Sequence, residues 1–166
     1  EISYQKTAEV IKRNDKPAKM IRENFVLRKI TLIQNELVHL ADLAKYSLQE
    51  ITSDFIKQAA LERYLERIIN RAIDINQHLI AELSTKDTNP PLDYAETFLR
   101  LTDCGIYPEE FSRRIARSVG TRNILVHEYD VVDYTSIYSS IADCLRDYHE
   151  YGAYILVFLE KSKESL

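Results

Sequence analysis

The chain has 166 residues, enough for one domain with a single core, and its 45% hydrophobic and 29% charged content is that of an ordinary soluble globular fold. A net charge of −4 argues against broad electrostatic attachment to nucleic acid, so any chemistry on nucleic acid has to come from a small local site. No apolar run approaches the roughly 18 residues of a membrane span. The opening lacks the basic-then-apolar pattern of a signal peptide, and Cys104 and Cys144 stand in no metal-binding spacing; reduced thiols, no metal and a cytoplasmic location are the expectation.

Residues 1–21 read as a polar lead-in, with room for a short helix or arm through Val10 and Ile11 before the turn-like Arg13-Asn14-Asp15-Lys16-Pro17. Residues 22–166 are the expected folded domain. From about Arg22, Val26, Ile30, Ile33, Leu37 and Leu40 recur at three- and four-residue steps, and the stripe runs on through Leu43, Tyr46 and Leu48 to a change of direction at Thr52-Ser53-Asp54. Ser53 or Asp54 is the expected N-cap of a second, longest helix, from about Phe55 to Leu83, with Leu61, Leu65, Ile68, Ile69, Ala72, Ile75 and Leu79 on its buried face. Pro90-Pro91 cannot continue a helix interior.

A short helix follows from about Asp93 to Thr102 and closes at Asp103-Cys104-Gly105. Pro108-Glu109-Glu110 opens a fourth, running to Tyr129 or Asp130, and a fifth spans about Asp133 to Glu160. No segment reads as a strand. Long amphipathic helices with short connections predict an all-α, up-and-down bundle of about five helices.

One segment is unlike the rest: Gly120-Thr121-Arg122-Asn123-Ile124-Leu125-Val126-His127-Glu128-Tyr129-Asp130. Asn123 and His127, four apart, share a helix face; Arg122 and Tyr129, seven apart, lie nearly in line. Arg122 and His127 are five apart, which turns them away from each other on a regular helix. They converge if the arginine reaches across, if the helix distorts, or if a second subunit completes the site; a two-fold axis through this helix is the favoured solution. Cleaving RNA without a metal needs a proton acceptor for the 2′-hydroxyl, a donor for the leaving 5′-oxygen and positive charge at phosphorus. Histidine suits the transfers and arginine the phosphate. Asn123 either orients His127 or donates to the phosphate, and the Tyr129 hydroxyl does either or accepts a modification. By itself an R-x4-H-x-Y string is weak, since Arg and His near a helix C-terminus also simply satisfy carbonyl groups.

With Asn123 beside Arg122, this string resembles the signature of the HepT branch of HEPN proteins. The likeness spreads over about Phe25 to Leu159. Glu62-Arg63-x-Leu65-Glu66 and Ala72-Ile73-Asp74-Ile75 are similar to the family's second helix, Tyr94-Ala95-Glu96-x-Phe98 to its third, and Gly105-Ile106-x-Pro108-Glu109-Glu110-Phe111 continues the pattern. The lead-in has no counterpart in it, and Thr121 stands where a larger apolar residue is expected. The resemblance implies a homodimer with its cleft at the dimer interface. It implies a metal-independent endoribonuclease that needs no cofactor, has tRNA among its targets, and forms the toxin of a toxin–antitoxin pair. It also implies a partner, a minimal MntA-like nucleotidyltransferase antitoxin that transfers AMP onto Tyr129. The alternative is a non-catalytic HEPN subunit that recruits or regulates such a nucleotidyltransferase; the acidic charge leans that way, the intact Arg122–His127 pair toward the enzyme.

Other polar residues have two readings. His78 lines the cleft or is a half-buried structural side chain, and His39 and His149 are surface or interface residues. Arg63, Arg67 and Arg71 form a ridge that meets RNA or the partner, or else a solvated ion-pair face with Glu62 and Glu66. Glu128 and Asp130 tune His127 or face solvent. The tyrosines at 129, 134, 138, 148, 151 and 154 form an aromatic wall or, more simply, fill the core.

Overall fold

The computed structural model describes residues 21–85, 88–127 and 132–164, and among these every regular element is a helix. In chain order they are α1 (Glu23–Leu43), α2 (Leu48–Thr52), α3 (Phe55–Leu83), α4 (Tyr94–Asp103), α5 (Glu109–Ala116), α6 (Ser118–His127) and α7 (Tyr134–Glu164). The expected lead-in lies outside the described residues except for Ile21.

Local chemistry fixes the ends. Asp54 Oδ1 accepts from the backbone N–H groups of Ile56 (2.9 Å) and Lys57 (3.2 Å), starting α3 where the sequence placed it. Asp93 caps α4 by accepting from Glu96 N (2.8 Å), while the Glu96 carboxylate reaches back to Leu92 N (2.6 Å). Gly105, at φ 74°, closes α4: its N–H donates to Thr102 O (2.9 Å) and Ile106 N to Leu101 O (3.1 Å). Those paired bonds need the left-handed backbone that glycine adopts freely.

Two details differ from the sequence reading. The first apolar stripe does not run unbroken past Leu43: a turn intervenes, and Ser47 with Glu50 forms a reciprocal capping box that starts the separate turn α2. The fourth helix is divided at Arg117, where Arg117 N and Gly120 N bond to the third preceding carbonyl, at 3.4 and 3.0 Å, and tighten the backbone.

The core is built from the predicted faces of α1 and α3, closed by α7. Val26, Ile30, Ile33, Leu37 and Leu40 of α1 pack with Leu61, Leu65, Ile68, Ile69, Ala72, Ile75 and Leu79 of α3 and with Ile137, Ile141, Tyr148, Tyr151 and Ile155 of α7. Contacts of α3 with α1, α4 and α6 make it the central post of the bundle, so α4 and α6 are both anchored beside its C-terminal half. That arrangement positions the site.

Candidate functional site

The segment singled out by its chemistry is α6. Arg122, Asn123 and His127 all line one cleft of about 1150 Å³, walled by the end of α3, the 88–93 segment and the start of α4. Arg122 is half-buried, whereas Asn123 and His127 are exposed. Arg122 and His127, five residues apart on α6, thus both border the same cleft within a single chain.

Arg122 is held by neutral groups. Its Nε donates to Asn70 Oδ1 of α3 (3.1 Å), its Nη1 approaches Asn123 Oδ1 (3.4 Å), and the guanidinium carbon stands 4.9 Å from the centroid of the Tyr94 ring. Among the described residues no carboxylate pairs with it, in contrast to Arg63, Arg67, Arg71, Arg100, Arg113, Arg114 and Arg146. Asn123 therefore faces Arg122 with its carbonyl oxygen and does not bond His127. The sequence carries no signal for Asn70 or for the ring contact of Tyr94: Asn70 is 52 residues from Arg122, and no local pattern links them.

Tyr129, with Glu128 and Asp130, lies outside the described residues. His78 is placed away from the cleft. Its Nε2 accepts from Arg22 N (3.1 Å), its ring meets Phe25 edge-on at 5.3 Å, and burial lowers its pKa against the opposing pull of Glu82. The arginine ridge does not line the cleft either. Arg71 Nη1 donates to buried Glu36 of α1 (2.8 Å) and to Leu32 O (3.3 Å), Arg67 reaches the same carboxylate at 3.4 Å, and Arg63 pairs with Glu66 at 3.3 Å. The partner of the ridge is thus Glu36 as much as Glu66. Glu62 instead accepts from the Tyr134 hydroxyl, whose pKa is pushed up to about 12 by burial and by that carboxylate. His39 stacks on Tyr64 at 5.3 Å and His149 is exposed. Tyr148 and Tyr151 are core, and Tyr154 packs on Tyr107 and Phe111. Among the described residues no three His, Cys, Asp or Glu side chains gather as a metal ion requires.

A permanent cation and an imidazole that share an open cleft can bind a phosphodiester and move protons at it. Comparison with known proteins agrees with that chemistry. A curated relative, tRNA nuclease HepT of Aphanizomenon flos-aquae (strain 2012/KM1/D3), is 34% identical over 139 residues, covering 82% of this chain and 92% of its own. The fold matches a tri-AMPylated HEPN toxin of Shewanella oneidensis solved in complex with an MNT antitoxin, with a TM-score of 0.70 at 20% identity over 81% of this chain and 98% of that one. It also matches YutE of Bacillus subtilis, a cytosolic protein of unknown function, with a TM-score of 0.73 at 17% identity over 86% and 93%. Residues 26–155 match the family described as ribonuclease HepT-like, and the chain belongs to that family.

Proposed function

We propose that this protein is a metal-independent endoribonuclease, the toxin of a toxin–antitoxin pair, with tRNA as its substrate class and Arg122 and His127 as its catalytic residues. The observation that carries the reading is that both side chains line one cleft. The relative named a tRNA nuclease and the structural relative solved with an antitoxin support it.

In this mechanism neutral His127 accepts the proton of a ribose 2′-hydroxyl as the 2′-oxygen attacks phosphorus. The P–O5′ bond breaks, leaving a 2′,3′-cyclic phosphate, and an imidazolium returns a proton to the 5′-oxygen. Arg122 binds the non-bridging oxygens, whose negative charge grows in the transition state. Asn123, exposed beside it, supplies a further donor through its amide nitrogen. The protein acts as a homodimer in the cytoplasm, with the two clefts facing across the two-fold axis.

Control follows the same electrostatics. An MntA-like nucleotidyltransferase transfers AMP to the Tyr129 hydroxyl, two residues beyond His127, and the added phosphate competes with RNA for Arg122. The relative carrying three AMP groups supports this arm of the proposal. Arg63, Arg67, Arg71 and His78 do not line the cleft and are engaged elsewhere, so they take no direct part in the chemistry; of these Arg63 is the most exposed, at 56%, and is the one available to a partner.

The test is incubation of the purified, unmodified protein with total tRNA in EDTA, beside its His127→Ala variant. Cleavage by the parent alone is the expected result. Cleavage by neither, with an intact mass free of adducts, would leave a binding subunit for the nucleotidyltransferase as the better reading.

A further inference from the structure

The cleft holds its arginine without a carboxylate partner among the described residues. Most arginines named above end on a carboxylate; Arg122 ends on an amide oxygen and an aromatic face. An Asn70 carbonyl at 3.1 Å fixes the Nε end of the guanidinium, and the Tyr94 ring at 4.9 Å supports its plane. Neither contact cancels the charge.

Both supports are themselves anchored. Asn70 lies on α3, between the fully buried Ile69 and the ion-paired Arg71, so its backbone has little freedom. Behind Tyr94 runs a buried chain of hydrogen bonds. The Tyr151 hydroxyl donates to Asn76 Oδ1 (2.7 Å), Asn76 Nδ2 donates to Thr97 Oγ1 (3.2 Å), and Thr97 Oγ1 donates to the Tyr94 carbonyl (2.6 Å). Asn76 and Tyr151 are wholly inaccessible and Thr97 nearly so. The first residue of α4 is thereby tied to α3 and α7, the two longest helices, and its ring is held beside Arg122.

We propose that Asn70 and Tyr94 are positioning residues that present Arg122 to the scissile phosphate as an oriented, unneutralised cation. The proposal deepens the ribonuclease reading and rests on it. The physical point is selectivity for charge. A carboxylate in place of Asn70 would hold the same Nε–H equally well, yet it would satisfy the guanidinium electrostatically and compete with the phosphate. An amide oxygen and a ring face orient without that competition. Of the four Nη N–H donors one approaches Asn123 and three have no partner among the described residues, and the fork geometry suits two non-bridging oxygens.

The experiment compares the parent with Asn70→Ala, Asn70→Asp, Tyr94→Phe and Tyr94→Leu in two readouts. The first is kcat and KM on a defined tRNA. The second, independent of activity, is the Nε–Hε NMR signal of Arg122, assigned by its disappearance in Arg122→Lys. Asn70→Ala is expected to lower kcat by about tenfold to a hundredfold, the usual worth of a hydrogen bond to a charged group. Tyr94→Leu is expected to lower it by about threefold to tenfold, with Tyr94→Phe near the parent, because the ring and not the hydroxyl makes the contact. Asn70→Asp is expected to keep the slowly exchanging Nε–Hε signal and still lose at least as much kcat as Asn70→Ala.

Full activity in Asn70→Asp would overturn the argument from charge, since a merely structural bond is rescued by aspartate. An Nε–Hε signal in the parent that exchanges as fast as in Asn70→Ala would overturn the clamp itself. A parent that cleaves no RNA while its Arg122 signal stays protected would refute the ribonuclease reading and the catalytic purpose of the clamp, and leave its geometry standing.

Discussion

Replacing Arg71 by methionine strands a buried carboxylate. Glu36 is 9% exposed in its side chain and Arg71 only 17%, with 2.8 Å between Oε1 and Nη1. The second oxygen of Glu36 has no hydrogen-bond partner among the described residues, so the arginine contact carries most of the compensation for desolvation. Breaking a buried pair by deleting one member costs roughly 3–5 kcal/mol. Arg67, at 3.4 Å and 42% exposed, remains to shield the charge in part. The expected loss is therefore about 2–3 kcal/mol, a fall in Tm of about 5–10 °C for a domain of this size. Urea unfolding at one fixed protein concentration measures it, read as a lower midpoint with an unchanged slope. The double variant Glu36→Leu/Arg71→Met removes both charges and is expected within about 1 kcal/mol of the parent, because an apolar pair of similar volume suffers no desolvation. An Arg71→Met variant within about 0.5 kcal/mol of the parent would refute the reasoning.

Arg122→Ala and His127→Ala are each expected to reduce cleavage by at least about 10²-fold with an unchanged Tm and dimer, measured by tRNA gel assay and light scattering; both side chains sit at the cleft surface and outside the core. Tyr151→Phe keeps the ring and removes the donor to Asn76, leaving a buried acceptor bare, and is expected to cost about 1–3 kcal/mol in urea unfolding. His78 makes stability pH-dependent. Burial holds its folded pKa below the ordinary 6.5, so the unfolded chain binds the extra proton first. Its contribution is intact above about pH 7 and is lost as pH falls through 6.5, levelling off below the folded pKa. His78→Gln, which keeps an acceptor for Arg22 N, is expected to flatten the parent's Tm–pH slope in that window; an identical slope would show that another group is responsible.

Helices and their faces were legible in the sequence because they are set by neighbours three and four residues apart. The α3 span, the cap at Asp54 and the helix start after Pro108 follow from local chemistry, and the buried stripe from Val26 to Leu40 from periodicity alone. The family likeness was legible in the same way, in Arg122, Asn123 and His127 with the motifs around them. The break at Arg117 and the separate turn α2 were not, since each rests on one or two backbone bonds that leave the apolar pattern intact. Only tertiary structure decided which polar residues meet. Asn70 finds Arg122 across 52 residues, Glu36 finds Arg71 across 35, and His78 turns to the backbone of Arg22 and not to the cleft. These contacts depend on the rotation of α1, α4 and α6 about α3, which is fixed by side-chain packing between helices. Periodicity says which face of a helix is buried; it is silent about what stands opposite.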